Sequence, residues 1–308
     1  MRNEFGAILL IGYGAPEKSE DIVPFLRNVA KRRPIPEERL KEVAHHYELI
    51  GGKSPLNELT FKQAEKLKKY LSDDGFDIPV FVGMRNWHPF FVDTIKKVAD
   101  LGVKKAVGVI MAIYQSDASW QRYQRELSEV CKENNADIEI KYTNVLFDHP
   151  LFIENCANNI KSCFDKIEEN ELVNTKLIFT AHSIPTPMAE SSPYVEQFET
   201  SSRLVAEMLG HKNWMTAYQS RSGSPSNPWL EPDVCDVIED LAKDGVTNIV
   251  ILAIGFVCDH VEVLFDIGIE ARESAEKHGI NLYIAKTVND DDLYIRALEE
   301  SVIEQLNS

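Results

Sequence analysis

The 308-residue chain is poor in positive charge: 33 Lys and Arg stand against 49 Asp and Glu, a formal net charge of −16 at pH 7. Such a surface repels phosphate backbones and anionic headgroups, which argues against nucleic acid or a lipid surface as the main partner. A local basic patch could still hold a small anion. No apolar run approaches the ~20 residues that a membrane-spanning helix needs, so no stable membrane insertion is expected. The opening MRNEFGAILLIGYGAP has its apolar stretch already committed to a strand and carries no cleavable leader pattern, so the expected location is cytoplasmic. Five cysteines (Cys131, Cys156, Cys163, Cys235 and Cys258) are an odd number without a CxxC pair. That speaks against both a disulfide framework and a cysteine zinc site. Two catalytic signatures are also missing. Gly12-Tyr13-Gly14 lacks the third glycine of a dinucleotide fingerprint. His182-Ser183 has no GxSxG elbow, and RSGSPSNP around Gly223 does not provide one. The acidic balance and the absence of hydrophobic repeats point to a monomer.

What the chain does have is alternation. Short runs rich in Val and Ile (AILLIGYG, PVFVGM, AVGVIMAIY, IEIKYTNV, KLIFTAHS, WMTAYQS, NIVILAIGFV, INLYIA) are separated by amphipathic segments of helical period. Strands apolar on both faces and spaced by helices form parallel sheets covered on two sides, so the fold class is α/β. ADLGVKKAVGVI and AKDGVTNIVILA share a helix end, a Gly-Val turn and a buried strand, while FGAILLIGYG and TKLIFTAHS each open a half with a strand ending in a polar loop. This implies two similar halves, 1–150 and 151–308, joined near residues 145–175. The last helix, DLYIRALEESVIEQL, is expected to pack back on the first half. Ligands of such sheets bind outside the carboxyl ends of the strands.

Several residue patterns could carry chemistry. In GFVCDHVEVLFDIGIE, read as a strand running into a helix, Glu262, Asp266 and Glu270 recur at i, i+4 and i+8 among Val261, Val263, Leu264, Phe265, Ile267 and Ile269. Like charges at that spacing weaken a helix. A solvated face is the ordinary explanation, but so apolar a neighbourhood suits partly buried acids that pass protons or hold a divalent cation. FTAHSIP ends a strand in His182, where an imidazole can meet a ligand or simply bond within its loop. LLIGYGAP presents Tyr13 between two glycines, able to stack on or ligate a flat cofactor or merely to pack in a turn. WQRYQREL brings Trp120, Arg122 and Tyr123 to the start of one helix, GMRNWHPF adds Trp87 and His88, and the turn before Leu56 offers Ser54 as a helix cap or an anion donor.

Taken in order, LLIGYGAP, HHYELIGGKSPLNELT, GMRNWHPF, FTAHSIP, PYVEQFETSSRLVAEMLG, YQSRSG…PWLEPDV and GFVCDHVEVLFDIGIE closely resemble the ferrochelatases, lyases of haem and porphyrin biosynthesis that insert Fe2+ into a porphyrin. The resemblance implies two Rossmann-like domains of the class II chelatase type with a porphyrin cleft between them. It assigns metal insertion to His182 and catalysis to Glu262, with Asp266 and Glu270 extending the metal- and proton-bearing row. Tyr13 matches the tyrosine that ligates iron from the opposite face in enzymes using coproporphyrin III, which favours that substrate and coprohaem as product. Ser54 and Tyr123 match porphyrin-binding positions. Two positions depart from the family's pattern: an arginine expected near Ala30 is absent, though Lys31, Arg32 and Arg33 follow, and His46 stands where arginine can precede Tyr47; Lys31, His46 and Tyr47 are the propionate candidates. The C-terminal segment has no cysteine, so no 2Fe-2S cluster is expected. The next enzyme of the haem pathway is a candidate partner. Alternatives within the class are a protoporphyrin IX ferrochelatase and a cobalt chelatase; outside it, a non-catalytic tetrapyrrole carrier or a two-lobed small-ligand binding protein.

Overall fold

The alternating pattern folds as expected in a computed structural model that describes residues 4–31, 36–222 and 227–308. Arg32, Arg33 and Gly223 lie outside the described residues. The first elements are β1 (Ala7–Gly12), α1 (Ile22–Ala30), α2 (Glu37–Leu49), α3 (Leu56–Asp73), β2 (Val80–Met84), α4 (Phe91–Asp100), β3 (Lys105–Ile110), α5 (Trp120–Glu133) and β4 (Glu139–Tyr142). There follow α6 (Pro150–Phe164), α7 (Glu169–Leu172), β5 (Lys176–His182), α8 (Thr186–Glu190), α9 (Tyr194–Leu209), β6 (Trp214–Gln219), α10 (Val234–Lys243) and β7 (Asn248–Leu252). The chain ends with α11 (Val261–Leu264), a π-helical segment (Asp266–Ala271), α12 (Arg272–Lys277), β8 (Asn281–Ala285) and α13 (Asp292–Leu306).

Two compact units result. The first comprises Met1–Ala112, Asp117–Leu146 and Asn289–Ser308; the second comprises Ile113–Ser116 and Phe147–Val288. Helix α13 therefore counts with the first unit, where it packs on α3 and β3. Each unit holds a four-stranded sheet, ordered β2-β1-β3-β4 in the first and β6-β5-β7-β8 in the second, with every pair parallel. The two windings are the same. The weak internal repeat now has a structural meaning, since each of its copies is the turn and third strand of a unit. Gly102 before β3 and Gly245 before β7 take left-handed φ values of 72° and 81°, which a side chain would strain.

Why these residues form these elements follows from burial. All residues of β1 and of β7 are buried, as central parallel strands require. Their neighbours are amphipathic helices. Phe91, Thr94, Ile95 and Val98 of α4 and Tyr123, Leu127 and Cys131 of α5 cover the first sheet at helical spacing. Val234, Val237 and Ile238 of α10 cover the second with Ile267 and Ala271. Each large apolar side chain buried in this way contributes about 1.5–3 kcal/mol.

Chain order places a switch point in each sheet, between β1 and β3 and between β5 and β7, where successive connections leave in opposite directions. Crevices outside the carboxyl ends of strands at such points are where open α/β sheets bind ligands.

Candidate active site

Tyr13 follows β1 and Tyr123 opens the helix after β3, while His182 ends β5 and Glu262 opens the helix after β7. Each unit thus brings its two candidates to the equivalent switch point.

In the first unit the turn after β1 is tied to the end of β2: the Arg85 and Asn86 amides donate to the carbonyls of Gly12 at 3.0 Å and Tyr13 at 2.9 Å. Gly14 has φ +83°, and a Cβ there would lie 2.9 Å from the Trp87 backbone nitrogen, so the close approach requires glycine. Phe25 is the hub of an edge-on aromatic cluster, with ring centroids 6.3 Å from Tyr13, 6.0 Å from Tyr47 and 6.2 Å from Trp87. Tyr47 and Trp87 are buried, whereas Tyr13 is 39 % exposed, so within this cluster it is the ring that offers a face.

Tyr123 is buried edge-on against Phe91 at 6.2 Å. Burial pushes its phenol well above the ordinary range, and nearby Tyr13 acts in the same direction, so Tyr123 remains neutral. Beside both phenols lies a partly buried ion pair that the sequence did not signal. Arg85 forks onto Glu126, Nε to Oε2 at 2.8 Å and Nη2 to Oε1 at 2.9 Å, and its third nitrogen donates to Asn86 Oδ1 at 3.0 Å. Bidentate pairing fixes orientation as well as charge. The partners are 41 residues apart, so no local pattern could have revealed them.

The remaining first-unit candidates are placed less alike. Ser54 is buried, its hydroxyl accepting from the Leu56 amide at 3.3 Å, so it serves the first turn of α3. Lys31 is exposed at the end of α1. His46 is partly buried on α2, and burial together with Arg39 holds its imidazole below the ordinary value.

In the second unit the expected continuous strand and helix are separate. Strand β7 stops at Leu252 and helix α11 starts at Val261, with Ala253–His260 as a loop. Periodicity could not distinguish this apolar loop from buried strand. Gly255 donates to the Thr180 carbonyl at 3.1 Å, and a Cβ there would lie 2.8 Å from the Cα and Cβ of Ala181, so this loop lies directly against the end of β5.

The contact brings His182 and Glu262 together, with Nε2 and Oε1 3.7 Å apart and side chains 27 % and 35 % exposed. His182 Nδ1 is bonded to the Ser183 carbonyl. A carbonyl only accepts, so Nδ1 carries a proton, and the ring directs Nε2 toward Glu262. His260, absent from the sequence-based candidates although it lies inside their motif, uses its Nδ1 as an acceptor instead. Its Nδ1 accepts the Glu262 amide at 3.2 Å and caps α11, leaving the proton on Nε2. Burial holds His260 below the ordinary histidine value, so it stays neutral beside Glu262.

Gln219 and Ser220, at the end of β6, complete the set. Gln219 Oε1 accepts from Thr180 Oγ1 at 2.6 Å, which turns its amide nitrogen to the Glu262 carbonyl. Ser220 donates to Asp266 Oδ2. Burial pushes the Asp266 carboxyl up to about 8; Ser220 opposes the rise, while the negative charges of Glu262, Glu270 and Asp233 add to it. Asp266 therefore carries a proton at neutral pH, which relieves the repulsion inherent in the spacing.

The row is not regular α-helix. The Glu270 amide bonds to the Phe265 carbonyl at 3.0 Å, an i→i+5 turn inside the π-helical segment. Four residues advance about 40° past a full turn in an α-helix. In a π-helix of about 4.4 residues per turn they fall short by roughly 30°. The step from Asp266 to Glu270 thus offsets the drift from Glu262 to Asp266 and keeps the three carboxylates in line. Glu270 is exposed and Asp266 partly buried, so the row grades from solvent inward. Among the described residues no three His, Cys, Asp or Glu side chains converge as one metal cage.

The ferrochelatase family model matches residues 6–306. A coproporphyrin III ferrochelatase of Streptomyces griseus is 36 % identical over 98 % of this chain and 85 % of its own length. One from Nocardia farcinica is 36 % identical over 98 % and 88 %, and a ferrochelatase of Rhodopirellula baltica is 36 % identical over 98 % and 86 %. Among solved structures, the sirohydrochlorin chelatase SirB from Bacillus subtilis in complex with cobalt superposes with TM-score 0.59 at 11 % identity, over 98 % of this chain and 95 % of its own, a likeness of fold. With the family match spanning both sheets and both switch points, the chain belongs to the ferrochelatase family, a group of metal chelatases.

Proposed function

We propose that this protein inserts Fe2+ into coproporphyrin III to give coprohaem during haem biosynthesis. The observation that carries the reading is the His182–Glu262 pair at 3.7 Å, backed by a row whose middle carboxyl, Asp266, is pushed up to about 8. A porphyrin loses two pyrrole protons as the metal enters, so the site needs an acceptor for each and a route away. His182 accepts the first at Nε2 or passes the metal. Glu262 takes the second, and Asp266, which exchanges protons near neutrality, hands it toward exposed Glu270. Oxygen donors hold Fe2+ loosely enough to release it.

Coproporphyrin III rather than protoporphyrin IX is supported by Tyr13, an exposed tyrosine whose phenol would be able to ligate iron. It is supported too by the relatives from Streptomyces griseus and Nocardia farcinica, which carry that substrate in their names. Lys31 and His46 are proposed to meet propionates, Tyr47 and Tyr123 to line the porphyrin, and Ser54 to hold the turn before α3 in place for it. Fe2+ is the proposed metal, and no 2Fe-2S cluster is required by this chemistry. No described helix is long and apolar enough to cross a membrane.

The test is anaerobic incubation with Fe2+ and either coproporphyrin III or protoporphyrin IX, following the porphyrin absorption bands. Metallation of coproporphyrin III at least tenfold faster is expected. Preference for protoporphyrin IX would overturn the substrate, and tight binding of a porphyrin that is never metallated would overturn the enzyme reading in favour of a carrier.

A further inference from the structure

We propose that Tyr194 is a positioning residue for His182. Tyr194 is the first residue of α9, and its buried phenol donates at 2.9 Å to the backbone carbonyl of His182, the last residue of β5. The peptide plane joining His182 to Ser183 is thereby pinned at both ends, because the Ser183 amide of the same plane donates to the Gln219 carbonyl at 2.8 Å. His182 depends on this plane. Its side chain is anchored on the adjacent Ser183 carbonyl, and its Nε2 must meet Glu262. A small rotation of the plane swings the imidazole away from the carboxylate, and a partly buried carbonyl deprived of its donor favours such a rotation.

The phenol is itself held. Tyr114 packs edge-on against the Tyr194 ring at 5.5 Å and 83°. The Tyr114 hydroxyl lies 2.6 Å from Ser201 Oγ; since Ser201 directs its own proton to the carbonyls of Gln197 and Phe198, the phenol is the donor. The next residue, Gln115, exchanges two hydrogen bonds of 2.8 Å with Gln197. Residues 194, 197 and 201 share one face of α9, which explains a stripe of buried polar side chains where a helix on a sheet would ordinarily be apolar. The stripe exists to hold the segment Ile113–Ser116, and through Tyr114 it fixes the hydroxyl that orients His182.

This assignment rests on the metallation reading, and its test separates the two. Tyr194→Phe keeps the ring and removes only the donor. Expected are an unchanged KM for coproporphyrin III within about twofold, a kcat lowered about tenfold, equivalent to about 1.4 kcal/mol, and displaced His182 imidazole 15N resonances while those of the other histidines stay. The resonances report on Tyr194 whether or not the wild-type protein metallates a porphyrin, so loss of the functional reading leaves this arm intact. Unmoved His182 resonances in the folded variant overturn the assignment, as does a kcat equal to that of active wild type. Should Tyr194→Phe fail to fold, Ser201→Ala carries the test by loosening Tyr114. It is expected to move the same resonances and lower kcat about threefold, and unmoved resonances there overturn the proposal.

Discussion

Replacing Asp266 with Asn should make the protein more stable and less active, with both effects set by one proton. Asp266 titrates near 3.8 when unfolded and is pushed up to about 8 in the fold by burial and by the charges of Glu262, Glu270 and Asp233. Below pH 3.8 both states hold the proton and the carboxyl carries no linkage cost. As pH rises through 3.8 the unfolded chain ionises and the folded one does not, so stability falls, and the loss saturates above about 8 when the folded carboxyl also ionises. At about 1.4 kcal/mol per pH unit, the roughly three units between pH 5 and pH 8 give a ceiling of about 4 kcal/mol. Solvent screening at a site that is not fully enclosed, and sharing of protons along the row, reduce this to about 2 kcal/mol. Asn is neutral throughout and can still accept from Ser220. Thermal unfolding of the two proteins should therefore give a gap in Tm that widens by about 4 °C between pH 5 and pH 8.5, the variant being the more stable. In the metallation assay the variant, unable to carry a proton, should lose at least tenfold in rate. A gap independent of pH, or a variant destabilised at pH 8.5, refutes the reasoning about Asp266.

Other substitutions test other parts of the site. His182→Ala should slow metallation about 100-fold or more while porphyrin binding, followed by fluorescence quenching, stays within threefold; lost binding would make His182 structural instead. Tyr13→Phe should retain coproporphyrin III binding yet change the visible spectrum of the bound iron product, since the phenol oxygen can no longer reach the metal. An identical spectrum would remove Tyr13 from the ligand set. Gly255→Ala places a Cβ 2.8 Å from Ala181, and overpacking of that kind costs about 2 kcal/mol. A Tm drop of about 4 °C is expected, and an unaltered Tm would show that the loop and β5 separate freely.

Much of the fold was legible because burial on two faces leaves a strong trace. Continuous Val and Ile runs, helical stripes such as Phe91, Ile95 and Val98, and Gly102 and Gly245 at matching turns together specify parallel βα units and their repetition. The segment from Ala253 to His260 was misread because a loop buried against β5 is as apolar as the strand before it. The candidate site was legible where its residues lie in contiguous motifs, His182 in FTAHSIP and Glu262 and Asp266 in GFVCDHVEVLFDIGIE. It was illegible where it depends on long-range pairing: Arg85 finds Glu126, and Ser220 finds Asp266, across 41 and 46 residues of chain.

The sequence by itself determined the α/β class, the two-fold repetition, the family and the spacing of the acidic row, since each is written in local periodicity or in contiguous motifs. Tertiary structure alone decided how those groups are tuned. The π turn that aligns Glu262, Asp266 and Glu270, the opposite roles of Nδ1 in His182 and His260, the proton on Asp266 and the hold of Tyr194 on the His182 carbonyl all depend on the folded arrangement. Proton affinity and orientation depend on what surrounds a side chain, and in a folded chain those surroundings come mostly from residues remote in sequence.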